Sequence, residues 1–212
     1  MKKIEKFIRK SVVYEYDPSK GKEYEKKREL IQKIKETFGE ECIEGKGEKR
    51  EYAAGLEPTN FRKPNLIILN KGDVKLVLYF HYSKEIGFYG FDKNIITEII
   101  DWINKNNSEK IFFNLLFMLD TLDEETIYFC VPIFFIKNIE SDISVTDYKG
   151  TIGPQYKFNL ELIKNKYNLR LKKGRYEDVS DFKIEIRGLF NEYLMVRYQE
   201  EKIRYENTLK DK

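Results

Sequence analysis

The chain has 212 residues, of which 41% are hydrophobic, 15% aromatic and 35% charged. This apolar content is enough to build a core and argues against wholesale disorder, and the length favours one domain, since domains run to roughly 100–200 residues. The net charge of +3, from 39 basic and 36 acidic residues, gives only a slight preference for polyanionic partners.

The side chains that bind metals or form disulfides are too few for a structural zinc site or a disulfide framework. Cys42 and Cys130 are the two cysteines, neither lies in a CxxC pattern, and there is one histidine. The N-terminal sequence is basic without the apolar segment of a secretion signal, and no apolar run is long enough to cross a bilayer as a helix. We therefore expect a cytoplasmic protein that is neither secreted nor membrane-bound. The abundance of Lys, Glu and Ile is typical of thermophilic proteins.

The first half of the chain predicts a helix followed by a β-hairpin. Apolar residues recur at helical spacing over 21–39, and Gly39 ends the helix. The sequence ECIEG, residues 41–45, predicts a short strand. Strands are predicted at 65–69 and 74–82, joined by an Asn-Lys-Gly-Asp turn.

The second half begins with a glycine- and aromatic-rich connection at 86–92 and a helix at 93–106 that carries an isoleucine stripe. KIFFNLLFML and TIYFCVPIFFIKN predict two strands covered on both faces. A loop at 142–153 and a mixed segment with short elements precede a helix at 188–209, whose predicted apolar face is Leu189, Phe190, Tyr193 and Leu194. The order of elements predicts a single α/β domain over 1–212 with a mixed β-sheet, a core over 21–137 and a C-terminal elaboration over 138–212.

Four consecutive segments together resemble the PD-(D/E)XK nuclease superfamily, and within it the archaeal Holliday junction resolvases. They are EKKRELIQKI, PNLIILNKGDVKLVLYFHYSK, EIGFYGFDKNIITEIIDWINK and KIFFNLLFML. The resemblance implies a restriction-endonuclease-like mixed β-sheet flanked by helices, here with a C-terminal helical extension. It also implies DNA as partner, branched DNA in particular, Mg²⁺ or Mn²⁺ as cofactor for an active enzyme, and a homodimer that matches the two-fold symmetry of a junction.

The catalytic residues of that family are replaced in this sequence. Carboxylates hold Mg²⁺ through oxygen atoms, and an acid and a lysine alternate along one strand so that both reach one face. By resemblance the hairpin aspartate falls on Asn65, the second acid on Tyr79, the lysine on His81, and the helix glutamate near Lys27. Asn65 is uncharged, and Tyr79 is neutral at pH 7 because a phenol titrates near ~10.

Two alternative sets of residues could supply the missing catalytic groups. An acid recruited from Glu57 or Glu85 could hold Mg²⁺ or Mn²⁺. Alternatively, a metal-free mechanism could use His81 as general base, with Tyr79 or Lys84 as acid or charge stabiliser. The structural alternatives are a packing role for Tyr79, a strand-edge role for His81 and a strand-starting role for Asn65.

Basic side chains near the hairpin are candidates for phosphate contacts: Arg62, Lys63, Lys27 and Arg28. The cluster Lys172-Lys173-Arg175 could contact phosphates in the same way, and the alternative for every such cluster is a solvated surface. The sequence thus predicts a DNA-binding, nuclease-like protein, a structure-specific endodeoxyribonuclease if its metal site is rebuilt. The competing interpretation is a non-enzymatic DNA- or protein-interaction module on a nuclease scaffold.

Overall fold

A computed structural model of the chain describes residues 21–43, 66–84, 88–106, 109–123, 125–146 and 153–210. Five of the candidate site residues lie outside these ranges, namely Glu57, Arg62, Lys63, Asn65 and Glu85.

The described residues form four α-helices and ten strands. The helices are α1 (Gly21–Phe38), α2 (Lys93–Asn106), α3 (Ile133–Asn138) and α4 (Glu192–Lys210). The strands are β1 (Leu66–Lys71), β2 (Val74–Lys84), β3 (Phe88–Asp92), β4 (Ile111–Asp120), β5 (Thr126–Pro132), β6 (Ser144–Thr146), β7 (Gln155–Ile163), β8 (Lys166–Arg170), β9 (Tyr176–Asp178) and β10 (Lys183–Ile184). None of the helices among these residues is long and apolar enough to span a membrane.

The larger sheet is mixed and has the strand order β1-β2-β4-β5-β10. β1 and β2 form an antiparallel hairpin in which Leu66 pairs with Tyr79, and Gly72 adopts φ 61° in the turn. Only glycine takes such an angle at little cost, which explains why the turn contains it. β2 and β4 are parallel, so the chain must cross over between them, and α2 lies in that crossover.

The smaller sheet is antiparallel, with the order β3-β7-β8-β9 and β6 beside β7. Its inner face is aromatic: Phe91 of β3 and Phe158 of β7 both pack edge-on against Phe117 of β4. The face of β2 and β4 that carries Tyr79 and Phe117 is therefore covered by this second sheet. β4 is consequently apolar along nearly its whole length, as expected for a strand buried on both sides.

The helices bury their apolar stripes against these sheets. Leu30 and Ile34 of α1 are fully buried, and α1 packs on β2. All five stripe isoleucines of α2 are buried. In α4, Tyr198 packs against Phe112 and Phe134. A helix with one apolar stripe must bury that stripe, so these contacts follow from the sequence pattern.

Several sequence predictions are confirmed: the helix at 21–39, the hairpin, the helix at 93–106, and a mixed sheet flanked by helices with a further helix at the C-terminal end. Two are wrong. The described part of ECIEG, residues 41–43, does not form a strand, because Glu40–Cys42 is a 3₁₀ turn and Ile43 makes a single bridge to Leu69. The strand predicted over TIYFCVPIFFIKN ends at Pro132, after which IFFIKN forms α3.

The connection at 86–92 and the C-terminal third contain more strands than predicted. The connection at 86–92 contains β3, the loop at 142–153 contains β6, and the mixed segment forms the hairpins of the second sheet. The last helix begins at Glu192 instead of residue 188, so Leu189 and Phe190 precede it. Tyr193 was predicted on its apolar face and is instead 48% exposed.

Candidate functional site

Tyr79 and His81 lie on the same face of β2, as their spacing predicts, with ring centroids 5.7 Å apart. Phe91 of β3 packs edge-on against both rings, at 5.0 Å from Tyr79 and 4.7 Å from His81. Tyr79 is 4% exposed, and its hydroxyl accepts a hydrogen bond from the backbone N–H of Asp92 at 3.2 Å. These contacts favour the packing role for Tyr79. His81 is half-buried in the same aromatic group.

Lys84 is the last residue of β2 and is exposed. The parallel register places it beside Asp120, the last residue of β4. Ligands of α/β sheets commonly bind beyond the carboxyl ends of parallel strands, where side chains from adjacent strands converge. Of the candidates on α1, Arg28 is exposed and Lys27 is half-buried.

A polar cluster joins α1 to these strand ends; we call it the Lys26 cluster, and it consists of Lys26, Glu29, Tyr82, Asp120 and Thr126. The Lys26 ammonium lies 2.9 Å from Glu29 Oε2 and 3.0 Å from Asp120 Oδ2. The Tyr82 hydroxyl donates to the same Asp120 oxygen at 3.2 Å. The Thr126 hydroxyl donates to Asp120 Oδ1 at 2.8 Å. Asp120 thus accepts hydrogen bonds from three different elements.

The protonation of the cluster follows from these contacts. Hydrogen bonds to Glu29 and Asp120 raise the pKa of Lys26, so the ammonium is retained. Partial burial alone would raise the pKa of Asp120, but the Thr126 and Lys26 hydrogen bonds outweigh it and the pKa is lowered. Burial, together with the nearby Asp120 charge, raises the pKa of Tyr82. At neutral pH Lys26 is therefore an ammonium, Asp120 a carboxylate and Tyr82 a neutral phenol.

The Lys26 ammonium is already paired with Glu29 and Asp120, so a phosphate at the strand ends would depend on the exposed Lys84 ammonium at the end of β2. A metal site would need carboxylate, thiol or imidazole side chains that lie close together. Among the residues the structure describes, no group of three or more His, Cys, Asp or Glu side chains lies close enough together to hold a metal ion. Glu57 and Glu85, the acids predicted as metal ligands, are outside the described ranges.

Neither Tyr82 nor Asp120 was predicted as a site residue, and Lys26 was predicted only as a member of the basic cluster Lys26-Lys27-Arg28. Tyr82 and Lys84 alternate on β2 just as Tyr79 and His81 do, but on the opposite face, toward α1. Successive side chains of a strand point to opposite faces of the sheet. Because Tyr79 and His81 share one face, the even-numbered residues Tyr82 and Lys84 could have been predicted to point to the other. Asp120 had no local motif to identify it.

Comparison with known proteins gives no match: no family model, no curated protein and no solved structure matches the chain.

Proposed function

We propose that this chain is a DNA-binding protein with a nuclease-like core, related to the Holliday junction resolvases of the PD-(D/E)XK superfamily and sharing their restriction-endonuclease-like fold. The order of elements supports the proposal: a helix packs on a hairpin, and a crossover helix then leads to a strand parallel to the second hairpin strand. The same proposal takes the protein to be cytoplasmic and to act as a homodimer on branched DNA.

The observation that carries the proposal is the position of the Lys26 cluster with the exposed Lys84 beside it. It lies where α1 meets the carboxyl ends of β2 and β4, which is where the side chains of neighbouring elements converge on a ligand. Lys84 is exposed at the same end of β2, and Arg28 is exposed on α1. A phosphate group approaching this end would meet the Lys84 ammonium at the end of β2.

If the protein cleaves DNA, we propose phosphodiester hydrolysis supported by Mg²⁺ or Mn²⁺. The ion would polarise the phosphate and lower the pKa of a bound water. Glu57 and Glu85 are the acids on which such a site would depend, because the oxygens of Asp120 already accept hydrogen bonds from Lys26, Tyr82 and Thr126. A metal-free route through His81 is the other mechanism, and it requires the ring to reach solvent past Phe91.

The test is a binding and cleavage assay on a labelled four-way junction and a linear duplex, with Mn²⁺ and with chelator. We expect junction binding that weakens steeply with salt, because phosphate contacts release counterions. Lys84→Ala should weaken binding and lower the salt dependence by about one ion per site. Lys105→Ala, which removes an exposed charge from the last turn of α2, is the matched control. Absence of binding at low salt would exclude the proposal.

A second candidate is a non-enzymatic interaction module on the same scaffold. The observation that favours it is the covering of the Tyr79 and His81 face by β3, which leaves the hairpin residues matched to the family's acid and lysine within an aromatic core. This candidate predicts that neither the four-way junction nor the linear duplex is cleaved, with Mn²⁺ or with chelator, whether or not the DNA is bound. Cleavage that depends on Mn²⁺ and is lost in Glu57→Ala or Glu85→Ala would exclude it.

A further inference from the structure

One short segment of the second sheet has a strong excess of basic residues. Residues 155–175 contain seven of the 39 basic residues and one of the 36 acidic residues, a net charge of +6. The whole chain has a net charge of only +3, so the other 191 residues together carry −3. A nearly balanced total therefore hides a strongly basic segment, and local charge of this kind attracts polyanions.

The structure places this charge on one hairpin and its adjoining turns. Lys164 lies in the turn between β7 and β8, and Lys166 starts β8. Lys172, Lys173 and Arg175 form the connection from β8 to β9 at the other end. With β8 rising about 3.3 Å per residue, the two basic turns are roughly 13–17 Å apart.

Arg170 lies between the two turns on the outward face of the sheet. It pairs across the strands with Asn159 on one side and Tyr176 on the other. The Arg170 side chain is 54% exposed, and Tyr176 is 43% exposed. The opposite face of the same strands carries Tyr156, Phe158 and Leu169, which are buried. The outward face is therefore polar, cationic and solvent-accessible, with an aromatic ring beside the arginine.

The backbone gives an independent reason to assign a role to two of these lysines. Lys164 has φ 48° and Lys173 has φ 57°, a left-handed conformation that favours glycine and asparagine. The turn containing Lys164 and Asn165 has positive φ at both positions, where Asn-Gly is the preferred pair. Lysine at both left-handed sites costs stability, which is consistent with side chains retained for a function.

We propose that the outward face of β7, β8 and β9, with its two basic turns, is a second nucleic-acid-binding surface that holds single-stranded nucleic acid by its phosphates. A strand crossing the sheet would meet Lys164 and Lys166 at one end, Arg170 in the middle and Lys173 at the other end. Tyr176 offers a ring on which a base can stack. The surface is separate from the Lys26 cluster, and shares with the proposed function only the class of ligand.

The existing ion pairs of these basic side chains do not prevent phosphates from binding to the surface. Lys166 pairs with Asp178, Arg170 with Glu161 and Arg175 with Asp142, and the three basic side chains are 54–66% exposed although Glu161 is only 22% exposed. Exposed pairs contribute little, so a phosphate can compete for these cations. Lys164 and Lys173 have no ion pair with any residue in the described part of the chain.

The test uses the full chain and a fluorescent single-stranded oligonucleotide over a range of salt concentrations. The double variant Lys164→Asn with Lys173→Gly removes two charges and supplies the residues that the backbone prefers. We expect the slope of log K against log salt to fall by about 1.4, and affinity at 0.1 M salt to fall roughly 10–30-fold. Thermal stability should stay equal or rise, which a merely structural role would not produce. Lys105→Gln with Lys210→Gln, two exposed charges at helix ends, is the matched control and should change affinity by less than about twofold.

The outcomes separate this inference from the proposed function. If the wild type binds single strands and the double variant binds equally well, the second surface is excluded while junction binding through Lys84 stands. If Lys84→Ala leaves junction binding intact but the double variant loses single-strand binding, the second surface stands alone. If the double variant loses binding to anionic lipid vesicles and keeps oligonucleotide binding, the nucleic-acid assignment of this surface is wrong.

Discussion

The Lys26 ammonium of α1 lies 3.0 Å from the Asp120 carboxylate at the end of β4, so an ion pair joins α1 to the central strand of the larger sheet. Both side chains are mostly shielded, with 22% and 17% of their surfaces exposed. Shielding reduces screening by water and salt, and Tyr82 and Thr126 satisfy the other acceptor positions of Asp120. This pair should therefore contribute more than an ordinary surface pair.

A double-mutant cycle of Lys26→Met and Asp120→Asn should give a coupling energy of about 1–2 kcal/mol, because the two groups are in direct contact and partly buried. The measurement is the free energy of unfolding in urea for the wild type, both single variants and the double variant. Lys26→Met with Glu29→Gln is the matched cycle, and it should give about 0.3–0.5 kcal/mol since the Glu29 side chain is 49% exposed. Equal couplings in the two cycles would contradict the special position of Asp120.

The same pair predicts how stability depends on pH. The folded-state pKa of Asp120 is lowered below its unfolded value, so its contribution is fully present above that unfolded value, near ~4, and is lost as the pH falls through the folded pKa. The stability difference between the wild type and Asp120→Asn should therefore be constant near neutral pH and shrink in acid. Urea unfolding between neutral pH and about pH 3 measures it. If the stability difference between the wild type and Asp120→Asn stays constant or grows in acid, the pKa of Asp120 is not lowered in the folded protein.

Tyr79→Phe separates a structural from a catalytic role for that residue. The substitution leaves the buried N–H of Asp92 without its acceptor, so we expect a loss of about 1–2 kcal/mol in the free energy of unfolding. Binding and cleavage of DNA should be unchanged at temperatures where the variant is folded. Tyr82→Phe is the matched control: it removes the hydroxyl of a second β2 tyrosine, on the opposite face, where that hydroxyl donates to Asp120. A loss of cleavage in Tyr79→Phe with unchanged stability would restore the catalytic interpretation.

The hairpin and α2 could be predicted because each shows one clear period over a sufficient length. Ile95, Ile99 and Ile103 repeat at helical spacing and are all buried. The boundary of α3 could not be predicted in the same way. Residues Ile133 to Ile136 are apolar without interruption and all buried, and a short apolar run of this kind does not distinguish a strand from a helix. Pro132 was the available signal for the change.

The second sheet left a signal that the sequence analysis did not use. Gln155–Ile163 alternates buried and half-exposed positions along most of its length, which is the pattern of a strand with one face on the core. The Lys26 cluster left no such signal. Lys26 and Asp120 are brought together only because α1 packs on β2 and β2 pairs with β4, so their contact depends on tertiary structure that no local pattern encodes.

A buried carboxylate adds a polar contact to the aromatic packing that attaches α4 to the core. Glu201 is 7% exposed and accepts a hydrogen bond from Asn138 Nδ2 at 2.6 Å, while the same amide also donates to the Glu201 backbone oxygen at 3.1 Å. Asn138→Ala removes both bonds, and the remaining ion-pair partner of Glu201 among the described residues is Arg204, 4.0 Å away. We expect a loss of about 2 kcal/mol in the free energy of unfolding.

Asn138→Asp should destabilise the protein more than Asn138→Ala, because it places a second carboxylate beside Glu201 where little water can screen the repulsion. Glu201→Gln is the matched variant that removes the charge while keeping a side-chain oxygen to accept from Asn138. Hydrogen exchange of the α4 amides would localise the effect, since weaker docking of α4 on α3 should open this helix before the sheets. Equal exchange rates in α4 and β4 for Asn138→Asp would show that the contact stabilises the whole fold instead of the attachment of α4.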